Sequence, residues 1–262
     1  MADLLLLLIT GAFAGILAGL LGVGGGVVIV PVLVFIFQYQ GIDPSIIMHT
    51  AIGTSLATIV FTSISSIRAH HAHGAILWPI FWKMTPGILL GALIGAAIAD
   101  ALPSDTLKLI FSPFLMAVAI QMALNKQPKP HRKLPERAGL LSASTAIGAI
   151  SSLLGIGGGS LNVPFMALCN IEVRKAVATS AAIGLPIALA GTLGFIISGW
   201  NSEAMPEWSL GYINLSAALS IVVASALTAP YGAKLAHKIP VLVLKRIFAV
   251  LLFFVSIKLL VS

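Results

Sequence analysis

Two glycine-rich stretches of the same form are the residues best suited to bind a ligand. Residues 20–31 read LLGVGGGVVIVP, and residues 153–164 read LLGIGGGSLNVP. Glycine adopts backbone conformations with positive φ and lets a ligand approach the main chain closely. Each stretch leads into a new apolar helical segment, whose first N–H groups lack partners within the helix and can bind an anion. The glycines are Gly22, Gly24, Gly25 and Gly26 in the first stretch and Gly155, Gly157, Gly158 and Gly159 in the second.

Polar side chains near these glycines are suited to complete a binding site. Hydroxyl and amide groups can hydrogen-bond the oxygen atoms of an anion without carrying a full charge. The alternative for each Ser or Thr is a hydrogen bond back to its own helix. The alternative for the glycines is close packing between membrane helices. The polar candidates are Ser160 and Asn162, just after the glycines of the second stretch, and two equivalent pairs, Thr54 with Ser55 in AIGTSLATI (51–59) and Thr179 with Ser180 in AVATSAAIG (176–184).

Other patterns are weaker candidates for chemistry. The glycine runs lie between apolar segments, and not between a strand and a soluble helix, so we do not interpret them as a dinucleotide-binding loop. The stretch RAHHAHG at 68–74 offers His70, His71 and His73 for a metal, but Cys and acidic partners are missing nearby. We interpret it as a cytoplasmic loop. His49 is either a titratable anion ligand or an interfacial residue. We expect no metal and no cofactor.

The composition indicates the environment in which these residues must be positioned. Hydrophobic residues make up 58% of the 262 residues and charged residues only 9%, whereas soluble domains carry about 25% charged residues. The chain is therefore predicted to be an integral membrane protein. Its net charge of +7 is explained by basic residues at the cytoplasmic face, so we expect no nucleic-acid partner. The single cysteine, Cys169, excludes an intrachain disulfide.

Hydrophobic runs divide the chain into two halves, which we predict to be all-α because a helix satisfies its own backbone groups in lipid. The polar, basic and proline-rich segment NKQPKPHRKLPER (125–137) reads as a cytoplasmic linker. It separates a first transmembrane repeat, 1–124, from a second, 138–262. The runs lie at about 4–21, 27–39, 46–67, 76–99 and 105–124, and at about 138–154, 160–170, 174–199, 209–231 and 241–261.

The second half repeats the first, with five segments in each. The glycine stretches, the Thr-Ser segments and residues 95–111 with 232–248 align in the same order. Each glycine stretch lies either within one span or at the tip of a helical hairpin. With the linker inside, the hairpin alternative places all 15 Lys and Arg inside except Lys108 and Lys258, and the single-span alternative divides them almost evenly. The positive-inside rule favours the hairpins.

An odd number of segments in each half makes the halves antiparallel. The prediction is an inverted-topology repeat in a multi-pass membrane protein, with the N-terminus outside and the linker in the cytoplasm. We call residues 22–26 the first tip and residues 155–159 the second tip. Secondary transporters of this plan bind substrate near the midplane, between the repeats. Asp and Glu are missing from the middle of every predicted span, which argues against a cation substrate.

The motifs GVGGGVVIVP and GIGGGSLNVP, with their trailing prolines Pro31 and Pro164 and with GTSLA after the first, resemble the TauE/SafE family of sulfite and organosulfonate exporters. The resemblance covers essentially the whole chain. It implies an inner-membrane permease that exports small sulfur-containing anions, such as sulfite, thiosulfate or organosulfonates. It also carries the two tips and the two Thr-Ser pairs over as site residues. The halves differ, because GTSLA becomes ATSAA and Asn162 replaces Ile29, so the implied site is asymmetric.

The resulting hypothesis is a transporter that holds an anion between the two tips and exposes it alternately to each side. The expected partners are the anion and the lipid bilayer, and a homodimer is left open. A passive anion channel and a permease for another organic anion remain alternatives. An intramembrane enzyme is disfavoured because no Ser-His-Asp or metal-ligand set lies at predicted membrane depth.

Overall fold

Helices form almost all of the part of the chain that the computed structural model describes, which is residues 2–21, 25–124, 134–202, 204–235 and 241–261. The helical interpretation of the hydrophobic runs is thereby confirmed. Gly22, Gly24 and most of the linker, 125–133, lie outside the described residues. The helices are α1 (Ala2–Leu21), α2 (Gly26–Tyr39), α3 (Ile47–Ala72), α4 (Trp78–Ala101), α5 (Ser104–Leu124), α6 (Arg137–Leu153), α7 (Gly159–Leu168), α8 (Val173–Ser198), α9 (Leu215–Leu235) and α10 (Val241–Val261).

The run at 209–231 is not entirely helical, and the prediction was wrong for its first six residues. They form two short antiparallel strands, β1 (Ser209–Leu210) and β2 (Ile213–Asn214). Trp208 and Gly211 have φ values of 64° and 55°, which interrupt a helix. Helix α9 begins only where the Asn214 side chain accepts the backbone N–H of Ala217 at 3.0 Å, an N-cap.

The histidine-rich stretch at 68–74 is the end of a helix, so its interpretation as a loop was wrong. Helix α3 continues to Ala72, and a left-handed Gly74 (φ 61°) then ends it. The N–H of Gly74 donates to the carbonyl of His71 at 2.9 Å, and the N–H of Ala75 donates to that of His70 at 3.2 Å. This Schellman pattern satisfies the last carbonyls of the helix.

Helices α3 and α8 occupy the centre of the bundle and run antiparallel to each other. Gly53, near the start of α3, packs against Phe195 near the end of α8. Ser63, farther along α3, lies against Gly184 in the middle of α8. These two helices hold the Thr-Ser pairs, and most of the length of each is buried.

Small residues bring helices of one half against helices of the other. In the pair of α4 and α6, Gly87 meets Ser144 and Gly91 meets the Thr145 carbonyl. The pair of α1 and α9 has the same construction, with Gly11 against the backbone of Ile221. Both pairs run parallel. In lipid, no hydrophobic effect drives helices together, so helices associate through close packing of their backbones at small residues such as glycine.

Five described helices, α3, α4, α5, α8 and α9, are long and apolar enough to cross a membrane, counting α9 to Gly232. Helices α2 and α7 are shorter, with 14 and 10 residues. At 1.5 Å per residue α7 is about 15 Å long, roughly half of a hydrocarbon core of about 30 Å.

Candidate functional site

The second tip ends helix α6 with a left-handed glycine. Gly155 has φ 67°. Its N–H donates to the Ser152 carbonyl at 3.1 Å, and the N–H of Ile156 donates to the Ser151 carbonyl at 2.9 Å. This is a Schellman motif, in which a residue without Cβ permits the reversal of the chain. The first glycine of the stretch therefore serves to end a helix inside the bundle.

The second tip also begins helix α7 with a left-handed glycine. Gly158 has φ 74° and precedes the first helical residue, Gly159. Its carbonyl accepts the N–H groups of Leu161 at 3.1 Å and Asn162 at 2.7 Å. The N–H groups of Gly159 and Ser160 come before these and have no acceptor within the helix. The helix thus presents two N–H groups and the positive end of its dipole at the tip.

The described part of the first tip has the same geometry. Gly25 has φ 74° and precedes Gly26, the first residue of α2. Its carbonyl accepts the N–H groups of Val28 at 3.0 Å and Ile29 at 3.1 Å. Gly25 and Gly158, which align in the sequence, therefore cap equivalent helices in one conformation.

The two tips are in direct contact. A Cβ atom on Gly26 would collide with the carbonyl oxygen of Gly155 and lie 3.0 Å from Ile156 Cα. Ser55 Oγ donates to the same Gly155 carbonyl at 2.8 Å. All of these residues are buried. The structure therefore brings together Gly25, Gly26, Ser55 and the second tip.

Helix α8 packs directly against the second tip. A Cβ atom on Gly184 would lie 3.0 Å from the Gly157 carbonyl oxygen. A Cβ atom on Gly158 would lie 2.5 Å from Cδ1 of Ile187. The tip has no room for larger residues at either contact.

The threonines of the two Thr-Ser pairs make equivalent structural contacts. Thr54 Oγ1 accepts the N–H of Asn214 at 3.0 Å, just before α9. Thr179 Oγ1 accepts the N–H of Leu77 at 2.9 Å, just before α4. Each hydroxyl oxygen thus accepts a backbone N–H group that lies just before a helix and would otherwise have no partner. The threonines hold the start of a crossing helix in place, and their oxygens contact those segments.

Several buried polar atoms around the second tip have no hydrogen-bond partner within the described ranges. They are both amide atoms of Asn162 and the hydroxyls of Ser151 and Ser160. The hydroxyls of Ser152, which faces Gly191 of α8, and of Ser180 in α8 also have no partner among the described residues. Buried polar groups in proteins are nearly always paired, so such a concentration requires an explanation. Asn162 and the serines at 151, 152 and 180 have no exposed surface.

Sequence reasoning missed Ser151. The signal that identifies it is a difference between the halves, because the first half has Ala18 at this position. Ser160 and Asn162 likewise replace Val27 and Ile29. The second tip therefore has polar side chains where the first has apolar ones or none.

The interior around the tips contains few charges. Among the residues whose burial is described, the only buried ionisable side chains are those of His49 and Cys169. A negative charge bound at the tips would thus be stabilised by N–H groups and neutral dipoles.

His49 binds the end of helix α4. Its Nε2 lies 3.0 Å from the Ala99 carbonyl oxygen and 3.1 Å from that of Leu102. Its ring lies 5.1 Å from that of Tyr212. Burial, reinforced by the Asp100 carboxylate, raises the pKa of Tyr212 and keeps its hydroxyl neutral. His49 is therefore a buried contact between the start of α3 and the end of α4.

His70, His71 and His73 lie at the end of α3. His71 Nδ1 accepts the indole N–H of Trp78 at 3.3 Å. Across the described residues, no group of three or more His, Cys, Asp or Glu is placed to hold a metal ion.

Known proteins of similar sequence are described as membrane transporters. Residues 7–259 match the family described as Sulfite exporter TauE/SafE. A "Probable membrane transporter protein" of Haemophilus influenzae is 40% identical over 255 residues, which are 97% of each chain. A protein described in the same words from Methanocaldococcus jannaschii is 33% identical over 89% of this chain and 86% of its own. No solved structure matches the chain.

Gly158→Ala should destabilise the protein more than Gly41→Ala does. Both glycines have φ 74°, so either substitution costs about 1–2 kcal/mol of backbone strain. A Cβ atom on Gly41 meets nothing within 4 Å, whereas one on Gly158 meets Ile187 and Asn162. Overpacking adds about 1–3 kcal/mol. The measurement is thermal unfolding in detergent, monitored through the reactivity of the buried Cys169 thiol, which becomes accessible when the protein unfolds. Equal shifts would show that the second tip is not tightly packed.

Ser55→Ala and Ser180→Ala form a matched pair at equivalent positions. Removing the Ser55 hydroxyl leaves the Gly155 carbonyl without its 2.8 Å donor, which should cost about 1–3 kcal/mol of stability. The Ser180 hydroxyl has no partner among the described residues, so its removal should cost little in the absence of ligand. The same unfolding assay compares them. A larger loss of stability for Ser180→Ala than for Ser55→Ala would contradict the assignment of the Ser55 hydroxyl as the donor to the Gly155 carbonyl.

Proposed function

The chain belongs to the TauE/SafE sulfite exporter family and is a multi-pass membrane transporter, and from this premise we propose that it exports small sulfur-containing anions, such as sulfite or organosulfonates. The anion binds at the centre of the bundle, where the two tips meet. The observation that carries the proposal is the contact between Gly26 and the Gly155 carbonyl, because it places two helix starts of the same geometry, one from each half, at one buried point.

The tips supply the chemistry that an oxyanion needs. The N–H groups of Gly159 and Ser160 and the start of α7 attract negative charge. Ser160 and Asn162 add hydroxyl and amide groups that have no other partner within the described residues. The shortage of buried acidic side chains suits an anion and disfavours a cation.

We propose that the two halves form an inverted repeat, with each tip at the end of a helical hairpin. The antiparallel arrangement of α3 and α8 supports this, because equivalent helices would run parallel if each glycine stretch lay within one span. The packing of α8 against α4 also supports the inverted repeat. These two helices run parallel, and Gly194 near the end of α8 contacts Ala96 near the end of α4. Helices α2 and α7, with 14 and 10 residues, are also short for spans of about 20 residues.

Alternating access then follows from this construction. The halves rock against each other across the tips, so the anion faces one side of the membrane at a time. In this proposal the protein lies in the inner membrane, with the linker in the cytoplasm and the N-terminus on the outer side. A negative-inside potential assists the exit of an anion by about 2.3 kcal/mol per charge per 100 mV.

Cysteine labelling tests the inverted repeat. Ser45 and Glu172 are exposed residues in equivalent connections, before α3 and α8. In a Cys169→Ser background, Ser45→Cys should react with an impermeant maleimide in intact spheroplasts, and Glu172→Cys should react only after permeabilisation. Labelling of both from one side would support the single-span topology and reject the inverted repeat.

Counterflow in proteoliposomes tests the function. Vesicles loaded with unlabelled sulfite or methanesulfonate should transiently accumulate the labelled anion, because a carrier exchanges its substrate across the membrane. Gly158→Leu should abolish this accumulation. Ala97→Leu, at an exposed position of α4, should preserve it.

Each other outcome has a definite meaning. Flux without counterflow or saturation would favour a passive channel. Counterflow that survives in a folded Gly158→Leu variant would retain the carrier and reject the site at the tips. Accumulation of only non-sulfur organic anions would indicate a permease of a different substrate class.

A further inference from the structure

We propose that Ser151 and Asn162 form a one-sided binding seat around Gly158, which holds the oxyanion group of a singly charged substrate and rejects doubly charged anions. The inference rests on the proposed function and deepens it in two respects. It adds a residue, Ser151, that neither the sequence motifs nor the family match assigns, and it defines the charge of the substrate.

Gly158 is the point on which the two polar side chains converge. The position that a Cβ atom would take on Gly158 lies 2.7 Å from Asn162 Nδ2 and 3.5 Å from Ser151 Oγ. The end of the flexible Ile187 side chain, Cδ1, lies nearer, at 2.5 Å, so a ligand bound here must displace it. Ser151 comes from the last turn of α6, and Asn162 comes from the first turn of α7. Two helices that the tip joins thus direct donors at the same face of one glycine.

Both side chains are completely buried and have unused hydrogen-bonding capacity. Ser151 and Asn162 each have 0% exposed surface. The Ser151 hydroxyl and both amide atoms of Asn162 have no partner among the described residues. An asparagine without any hydrogen bond in a protein interior is costly unless something binds there. A ligand with oxygen atoms would satisfy these groups together with the N–H groups of Gly159 and Ser160.

The seat belongs to the second half alone. Its residues correspond to Ala18 and Ile29 in the first half, which have no polar side-chain atom. Ile29 is itself fully buried. The oxygen atoms of the substrate should therefore face α6 and α7. Its less polar side, such as the organic part of a sulfonate, should face the first half.

The seat can stabilise one negative charge but lacks the means to stabilise two. Among residues of described burial, Lys and Arg are absent from the buried set. Neutral donors and the start of a helix offset a single charge, and a second charge would be buried without a counter-ion. Asn162 Oδ1 is an acceptor, so the seat also accommodates an oxygen that retains its proton. Hydrogensulfite and monoanionic sulfonates fit this description, and sulfate does not.

Binding of methanesulfonate and sulfate tests the charge rule. The two probes have nearly the same size and shape, but methanesulfonate has one charge and sulfate has two. Isothermal titration with purified protein at pH 7.5 should show methanesulfonate binding at least tenfold more tightly than sulfate. Equal or tighter binding of sulfate would overturn the preference for a single charge.

Three variants test the seat. Asn162→Ile introduces the residue of the first half, and Ser151→Ala removes one hydroxyl. Each should weaken methanesulfonate binding about tenfold or more, since each removes a hydrogen bond to a charged group. Ser152→Ala is the matched control. Ser152 is adjacent, equally buried and also without a partner in the described ranges, but it faces Gly191 of α8, so its removal should change affinity less than twofold.

The outcomes separate the seat from the proposed function. If Ser151→Ala and Asn162→Ile bind methanesulfonate like the unmodified protein, the seat is wrong, whether or not counterflow is observed. If Asn162→Ile fails to fold, the comparison of Ser151→Ala with Ser152→Ala decides. If no sulfur anion binds and none shows counterflow, the proposed function fails, and the seat holds only water.

Discussion

The structure depends on the need to pair backbone N–H and C=O groups wherever a helix ends inside an apolar bundle. Water is not available there to bind the free groups, so each end must find a partner in the protein. At the second tip, two left-handed glycines meet this requirement within five residues. Gly155 closes α6 with a Schellman motif, and Gly158 opens α7 with its own carbonyl. The donors that remain free are those that an anion can bind.

The same requirement connects the two halves. Ser55 of α3 pairs with a carbonyl of the second tip. Thr54 and Thr179 pair with N–H groups that precede α9 and α4. Each central helix therefore fixes a segment of the opposite half. In the proposed mechanism, movement of one half would change the contacts that position the binding point, which is the coupling that alternating access needs.

The two tips are alike in backbone and different in side chains, and in the proposed site this difference would determine how ligands are distinguished. Equivalent glycines produce equivalent helix starts. The polar residues around Gly158 have apolar counterparts in the first half. Because the described part of the buried interior offers dipoles in place of cations, the proposed seat would select anions by their total charge. Its selectivity would then depend on the cost of burying charge as much as on shape.

The sequence by itself determined the membrane class, the ten helical segments, the two tips and the family. These depend on local properties, namely apolar runs of a given length and glycines that permit positive φ. The convergence of Gly25, Gly26, Ser55 and the second tip was also predictable, because the repeat indicated equivalent positions. Local patterns could not identify the hairpin at 209–214, since Gly211 is required there by its contact with the backbone of Ile196 in α8.

Only the tertiary structure decided what the candidate side chains contact. Thr54 and Ser55 are neighbours in the chain, but one binds the segment before α9 and the other binds the second tip. His49 binds carbonyls about 50 positions away. Ser151 becomes a candidate only because the chain reverses at the second tip and brings its hydroxyl near Gly158. Residue type specifies which hydrogen bonds a side chain can make, and the packing of distant helices decides which partner is within reach.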